Sequence, residues 1–215
     1  MSKHTLPIRI EPMLSNHIPV VSQLLALGFN AKFQTRAHLT DHELAYFFQQ
    51  LLSLYPLGPQ SHRLVALQEG VVIGTMCLMW KHPDQTPIKH GFPALKSFRP
   101  LSKWTVLKLL VGLQALEHKP SDNECYISDI AVHPEYRGKG AGTCLLQYAM
   151  QIVYREPSLQ VLSLHVSKKN RRAEQLYEQL NFRKHSTLTN FTSGLLFKEP
   201  LWHYMLLHVK TTTDV

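Results

Sequence analysis

Cysteine is scarce in this sequence of 215 residues. The three cysteines, Cys77, Cys125 and Cys144, are odd in number, far apart and form no C-x-x-C pair. Disulfide frameworks and zinc sites need regularly spaced cysteines, so neither is predicted, and a reducing compartment fits best. The thirteen histidines are scattered and contain no H-E-x-x-H motif, so we expect no metal ion.

Long apolar runs are also missing. The most apolar run, residues 104–116, is interrupted by Lys108 and Gln114 and is too short to cross a bilayer. Residues 1–5 are polar, and no apolar secretory core follows them. We therefore expect a cytoplasmic protein with no membrane partner.

Acidic residues are outnumbered, with 15 Asp and Glu against 23 Lys and Arg, which gives a net charge of +8. This charge favours an anionic partner, such as a phosphorylated cofactor, an acidic substrate or nucleic acid. Nucleic acid has the least support, because the sequence contains no helix-turn-helix, RNP or zinc pattern. The length and the hydrophobic content of 44% predict a single domain. The order of the predicted elements places it at residues 7–209, with a tail at 210–215.

Apolar periodicity and turn residues divide the chain into alternating strands and helices. The predicted elements are strand 7–13, a helix after residue 16, helix 41–54, strands 63–68 and 71–80, helix 101–118, strand 124–132, helix 142–155, strand 159–166, helix 173–180, and strands 183–189 and 201–209. Ser15 or Asn16 should cap the first helix and Asp41 the second, whereas Glu69 and Gly70 should form a hairpin turn. Strands 124–132 and 159–166 should be parallel, because a helix joins them.

Residues 81–119 form an insertion with two parts. Prolines at 83, 87, 93 and 100 predict a long loop, and the following helix, 101–118, is apolar on all sides. A helix of this kind needs to be covered. We expect it to pack on the sheet, and a lid or a homodimer surface is the alternative.

A basic, glycine-rich loop follows strand 124–132 and opens the next helix. Gly138, Gly140 and Gly142 let backbone N–H groups approach an anion, and the helix N-terminus adds about half a positive charge. Arg137 and Lys139 add full charges. The loop lacks the G-K-[ST] ending of a P-loop and the G-x-G-x-x-G order of a dinucleotide fingerprint. It therefore predicts a pyrophosphate site that needs no metal, although a flexible turn would also use these glycines.

Two segments in this order resemble the GNAT (GCN5-related N-acetyltransferase) superfamily. The first is Arg137-x-x-Gly140-x-Gly142 after Ile130-Ala131-Val132, and the second is residues 166–182, VSKKNRRAEQLYEQLNF. The resemblance implies an α+β fold with a mixed, mostly antiparallel sheet, a splayed central pair of parallel strands and flanking helices. It also implies an N-acetyltransferase that moves an acetyl group from acetyl-CoA to a primary amine of a small molecule, peptide or protein by direct attack.

The resemblance assigns roles to particular residues. Backbone groups of residues 130–132 would bind the pantetheine and the thioester oxygen, and Asn170 would contact the cofactor. Tyr177, about two turns along the same helix face, would be the general acid for the thiolate. Its spacing also fits an ordinary core position. The predicted cofactor-binding residues are Ile130, Ala131, Val132, Arg137, Gly138, Lys139, Gly140, Ala141, Gly142, Thr143, Asn170 and Ala173.

The general base is the position at which this chain departs from the pattern. Many relatives carry Glu where this chain has Ser128, and we predict that the neighbouring Asp129 is the base, with Glu124, His165 or water as alternatives. Ser128 and Asp129 face opposite sides of a strand unless a bulge exchanges them. The departure at Ser128 keeps a second function open, namely a module that binds acyl-CoA without catalysis.

Asn181 stands where relatives carry Gly, and Asn also tolerates the left-handed conformation needed there.

Overall fold

The computed structural model describes residues 7–37, 39–55, 61–81, 93–189 and 200–210. The strands and helices, numbered in chain order, are β1 (Arg9–Pro12), α1 (Ile18–Ala37), α2 (Asp41–Leu54), β2 (Ser61–Gln68), β3 (Val71–Met79), α3 (Lys103–Ala115), β4 (Glu124–Val132), α4 (Ala141–Arg155), β5 (Val161–Ser167), α5 (Arg171–Gln179), β6 (Arg183–Thr189) and β7 (Leu201–His208). Every predicted strand and helix is present, and the boundaries differ by a few residues.

A mixed sheet of seven strands has the order β1-β2-β3-β4-β5-β7-β6. β4 and β5 are parallel because α4 connects them, and the other neighbouring strands are antiparallel. The predicted α+β class with a central parallel pair is confirmed. The last strand, β7, lies between β5 and β6 and not at the edge of the sheet. The sequence does not indicate this position.

Helices cover both faces of the sheet. On one face, α4 packs its apolar side, including Leu145, against strand residues such as Leu64. On the opposite face, Phe47 of α2 and Leu109 of α3 join a second cluster with Val65. Leu64 and Val65 belong to different clusters because neighbouring strand residues point to opposite faces. The face covered by α1, α2 and α3 is the one that carries the candidate site.

Two helix starts differ from the predictions. Thr40, not Asp41, caps α2: its Oγ1 accepts a hydrogen bond from the Glu43 N–H at 3.2 Å, and Glu43 Oε2 accepts one from the Thr40 N–H at 2.9 Å. This reciprocal pair satisfies two N–H groups, which a single Asp cap does not do. Ser15 and Asn16 lie in a 3₁₀ turn before α1 and do not cap it directly.

The described part of the insertion packs into the protein. Leu109 of α3 is 1% exposed and contacts the cluster that contains Phe98, whereas Trp104 on the outer side is 74% exposed. One side of the helix is therefore covered by this cluster, and its packing on the sheet stays a prediction. A lid or a homodimer surface stays a prediction, and part of the predicted loop, residues 82–92, lies outside the described residues.

Candidate active site

β4 and β5 pair along only part of their length. Residues 124–127 pair with 161–164, and within these two described strands no pairing continues beyond Ile127. A cavity of about 610 Å³ opens where the strands separate, and its wall includes residues 126–131 of β4 and 164–167 of β5. The predicted splay of the central pair is therefore present.

A β-bulge decides which polar residue of β4 faces α1, α2 and α3. Opposite β3, Asp129 pairs with Cys77 and Ile127 pairs with Leu78, so Ser128 is an extra residue in the ladder. The extra residue reverses the alternation, and Asp129 rather than Ser128 shares the face of Tyr126. The bulge thus makes the exchange that the sequence leaves open.

Beyond the bulge, the backbone of β4 points alternately to β3 and to the gap beside β5. The N–H of His133 donates to Ile73 O of β3 at 2.9 Å. Because backbone groups of successive residues alternate in direction, those of Ala131 face β3, and those of Ile130 and Val132 face the gap. Two of the three predicted backbone ligands, Ile130 and Val132, therefore direct their N–H groups to the place where β5 is missing as a partner. The Val132 carbonyl oxygen accepts a hydrogen bond from Arg137 Nε at 3.1 Å.

The start of α4 has unpaired backbone donors. Its N-cap, Gly140, has a φ of 89° and no side chain to cap the helix. The N–H of Cys144 donates to Gly140 O at 2.9 Å, but within the described residues the N–H groups of Ala141, Gly142 and Thr143 have no hydrogen-bond partner. Unpaired donors at a helix N-terminus, together with the helix dipole, make a site for an anion.

Exposed cations surround this helix start. Arg137 and Lys139 flank Gly138 in the loop, and both side chains are exposed. Gly138 has a φ of 77°, and a Cβ at this position would come within 3.1 Å of the Arg172 guanidinium. The left-handed φ favours glycine at 138, whereas the flexible end of the exposed Arg172 side chain could move away from a Cβ. Arg172, which we did not predict as a site residue, brings a charge from α5 to the loop, and its position beside the motif residue Asn170 was the available signal.

Tyr177 and Asn170 both line the cavity. Tyr177 is 6% exposed and its ring centroid lies 5.8 Å from that of Phe182, so it is also a core residue. Burial raises the pKa of Tyr177 to about 12, and the hydroxyl therefore keeps its proton at neutral pH. Asn170 caps α5, because its Oδ1 accepts a hydrogen bond from the Ala173 N–H at 3.3 Å. This bond occupies the backbone N–H of Ala173, whose predicted cofactor contact stays a prediction.

Asp129 forms a buried ion pair with Arg63. The two guanidinium nitrogens Nη1 and Nη2 donate to Oδ1 and Oδ2 of Asp129 at 2.6 and 2.7 Å. The side chains are 6% and 13% exposed, respectively. Both carboxylate oxygens of Asp129 are thus engaged by Arg63, and neither is left free to face a substrate amine. The role of Asp129 as the base stays a prediction, and this ion pair disfavours it.

Glu124 is buried at the start of β4 and accepts four hydrogen bonds. The donors are His118 Nε2 at 2.9 Å, the Ser121 N–H at 2.8 Å, the Tyr204 hydroxyl at 2.8 Å and the Ser163 hydroxyl. Burial alone would raise the pKa of Glu124, but the hydrogen bonds from His118, Ser121, Ser163 and Tyr204 outweigh burial and lower the pKa to about 2. Glu124 is therefore a carboxylate at neutral pH.

His165, the other predicted alternative, lies in the cavity wall beside Tyr126. The Tyr126 hydroxyl and His165 Nδ1 are 3.0 Å apart. Burial, together with the neighbouring His118, lowers the pKa of His165 to about 4. His165 is therefore neutral at physiological pH and is a weak proton acceptor.

Within the described ranges, no group of three His, Cys, Asp or Glu side chains is arranged to hold a metal ion. No described helix is long and apolar enough to cross a membrane.

Comparison with known proteins identifies the family. The family model of the acetyltransferase (GNAT) family matches residues 29–182, and this chain therefore belongs to that family. The resemblance that the two motifs indicate is confirmed. No curated protein matches the chain in a sequence search.

Solved structures share the fold at low sequence identity. A chimera of the spermidine N-acetyltransferase SpeG from Vibrio cholerae and hSSAT superposes with a TM-score of 0.60 at 14% identity, over 97% of this chain and 99% of that chain. A GCN5-related N-acetyltransferase from Kribbella flavida superposes with a TM-score of 0.58 at 20% identity, over 94% of this chain and 97% of the other. At these identities the likeness supports the fold, and the acceptor has to be argued from the cavity.

Proposed function

We propose that this protein transfers an acetyl group from acetyl-CoA to a primary amine by direct attack of the amine on the thioester. The observation that carries the proposal is the separation of β4 from β5 immediately before an uncapped, basic helix start. The same chain segment thus offers the N–H groups of Ile130 and Val132 at a strand edge and an anion site at a helix end. The Val132 carbonyl oxygen is already engaged, since it accepts a hydrogen bond from Arg137 Nε at 3.1 Å. Membership of the acetyltransferase (GNAT) family supports this reading.

The residues at the helix start fit the pyrophosphate of CoA. The N–H groups of Ala141, Gly142 and Thr143 have no partner among the described residues, and Gly140 leaves them uncovered. Arg137, Gly138, Lys139 and Arg172 are the other residues we assign to the phosphates; the cations add long-range attraction. When bound, acetyl-CoA supplies the acetyl group as a thioester.

The residues beside the gap fit the thioester end of the same cosubstrate. Ile130 and Val132 direct backbone groups to the gap, where they can hydrogen-bond the pantetheine and the thioester oxygen. Asn170 also lines the cavity. Ala131 faces β3 and is the least suited of the three strand residues to this role.

Tyr177 is the proposed general acid. Its pKa of about 12 keeps the hydroxyl protonated, and it lines the cavity from α5. It would donate its proton to the sulfur that leaves as the amine attacks. The buried ring gives the hydroxyl a fixed position, so the core role and the catalytic role are compatible.

The cavity also points to the type of acceptor. Of the described residues that line it, only Glu117 and Asp129 carry a carboxylate, and Asp129 is paired with Arg63. Its walls on the side of α1, α2 and α3 are mostly apolar, with Gln114 as the polar exception in α3: Leu25, Phe48, Leu51, Leu52, Leu110 and Leu113. A polyamine such as spermidine, the acceptor named for SpeG, would find few acidic partners here. We infer that the acceptor has one amine and an apolar body.

Thiol release from acetyl-CoA tests the proposed function. The assay measures free CoA across a panel of arylalkylamines, polyamines, amino acids and peptides with free N-termini, beside a direct measurement of CoA binding. We expect turnover with at least one amine. Tight CoA binding without turnover on any amine would establish the competing function, a module that binds acyl-CoA without catalysis.

The acceptor class is tested by comparing kcat/KM for phenethylamine and spermidine. We expect phenethylamine to be favoured by roughly tenfold or more, since an apolar pocket discriminates by about 1–3 kcal/mol for each fitting group. Leu113→Asp should reduce this preference. Leu54→Asp, at a residue of α2 that is 42% exposed, is the matched control and should leave it unchanged. A preference of the wild-type protein for spermidine would refute the apolar acceptor.

A further inference from the structure

We propose that His118, held by Glu124, is the general base that takes the proton from the acceptor amine. The inference rests on the proposed function and names a residue that the motifs do not contain. His118 lies between α3 and β4 and lines the cavity. Glu124 does not line it and stands behind the imidazole ring. The His118 ring thus lies between the Glu124 carboxylate and the cavity. General base catalysis by histidine uses this arrangement, with a carboxylate on one side of the ring and the substrate on the other.

The hydrogen bond to Glu124 sets the tautomer of the ring. His118 Nε2 lies 2.9 Å from Glu124 Oε1, and Glu124 is ionised and can only accept. His118 therefore carries a proton on Nε2 when it is neutral, and Nδ1 keeps its lone pair. No described residue hydrogen-bonds to Nδ1, and the side chain is 25% exposed. One ring nitrogen is thus engaged, and the other is available to a ligand in the cavity.

Neighbouring groups hold both members of the pair in place. The Ser121 N–H, the Ser163 hydroxyl and the Tyr204 hydroxyl fix the Glu124 carboxylate. Around the imidazole, the ring centroids of Tyr126, His165 and Tyr204 lie 4.4, 5.2 and 5.5 Å away. A base that is fixed in this way loses little entropy when the substrate arrives.

The other ionisable groups around His118 are less suited to the task. Asp129 is tied to Arg63 through both oxygens. The pKa of His165 is lowered to about 4, mainly by burial, and burial raises the pKa of Tyr126 and that of Tyr204. Glu117 adjoins His118 in the chain but is exposed.

The proposed step balances as follows. The neutral amine attacks the thioester carbon, the new C–N bond forms, and the amine proton passes to His118 Nδ1. The C–S bond breaks, and the leaving sulfur takes the proton of the Tyr177 hydroxyl. The imidazolium is stabilised by the Glu124 carboxylate until it returns its proton to water, and water reprotonates Tyr177. The products are the acetylated amine and CoA.

Two substitutions of His118 test the proposal. His118→Ala should lower kcat roughly 10²- to 10⁴-fold with CoA affinity unchanged, and added imidazole should restore part of the rate. His118→Gln keeps an N–H donor for Glu124 and protects the fold, but it cannot take a proton, so its kcat should fall by a similar factor. His208→Ala, at the exposed end of β7, is the control and should retain full activity.

A readout without turnover tests the positioning role of Glu124. Nitrogen NMR of the free protein should show the Nε2-protonated tautomer for neutral His118, and Glu124→Gln should weaken that preference and lower kcat more than it changes KM. An Nδ1-protonated ring in the wild type would overturn the inference. Full activity of both His118 variants, in a wild type that acetylates amines, would overturn it as well. Absence of all turnover in the wild type would instead refute the proposed function.

Discussion

Replacing Asp129 by Asn distinguishes a structural ion pair from a catalytic base. The substitution leaves the Arg63 guanidinium buried without its counterion, and loss of one partner of a buried pair costs about 3–5 kcal/mol. The amide oxygen can still accept one of the two hydrogen bonds, so we expect the lower end, about 3 kcal/mol. For a chain of this length, that corresponds to a fall in Tm of about 6–12 °C.

Urea denaturation, monitored by tryptophan fluorescence, measures this loss of stability. A double-mutant cycle gives the interaction energy between Arg63 and Asp129. The double variant Arg63→Met/Asp129→Leu should recover most of the stability, because a buried pair replaced by apolar residues is often neutral or better. Asp122→Asn removes the exposed ion pair between Asp122 and Lys81, 2.8 Å apart, and should leave stability essentially unchanged.

One result would refute the reasoning. Suppose that the free energy of unfolding of Asp129→Asn lies within about 1 kcal/mol of the wild-type value but its turnover falls more than about 100-fold. The ion pair is then not structural, and Asp129 is the base. If it is destabilised as expected and the folded protein keeps substantial turnover, the base is elsewhere. The first outcome supports Asp129 and contradicts the His118–Glu124 pair, whereas the second removes Asp129 and leaves the test of His118 to its own variants.

Four further predictions concern the cofactor site, the general acid and the buried carboxylate. Gly140→Val should weaken CoA binding, whereas Gly70→Val, at a φ of 78° with equally open surroundings, should cause similar strain without that loss; equal affinities measured by calorimetry would refute the anion site. Arg172→Gln should weaken CoA binding and make it less dependent on salt, whereas an unchanged salt slope would remove Arg172 from the site. Tyr177→Phe should lower kcat roughly ten- to ten-thousand-fold with CoA affinity retained, and an unchanged rate in the thiol assay would return Tyr177 to a purely structural role. The pKa of Glu124 in the folded protein is about 2, below its ordinary value of 4.5. The Glu124 carboxylate should therefore stabilise the folded state by roughly 3 kcal/mol above pH 4.5, and this contribution should be lost as the pH falls towards 2. Glu124→Gln should abolish this part of the pH dependence of the free energy of unfolding, measured by denaturation curves.

Much of the fold could be predicted because its signals are local. Apolar periodicity places the helices and strands, and turn residues such as Glu69 and Gly70, with φ values of 54° and 78°, place the hairpin. Asn181 adopts the predicted left-handed conformation, with a φ of 66°, for the same local reason. The glycine-rich loop and the residues after β5 indicated the family, since each motif lies within one stretch of chain.

The sequence by itself therefore determined the elements, the parallel central pair and the family of this protein. Only the tertiary structure decided the chemistry around Asp129, because that depends on contacts between distant residues. Arg63 lies 66 residues from Asp129 in the chain, and a single bulge at Ser128 turns Asp129 towards it. Likewise, Glu124 accepts a hydrogen bond from Tyr204, which lies 80 residues away in the chain. The same carboxylate is hydrogen-bonded to His118, the proposed base. The bulge that shifts the register of β4 and the contacts between distant elements depend on residues outside any one stretch of chain.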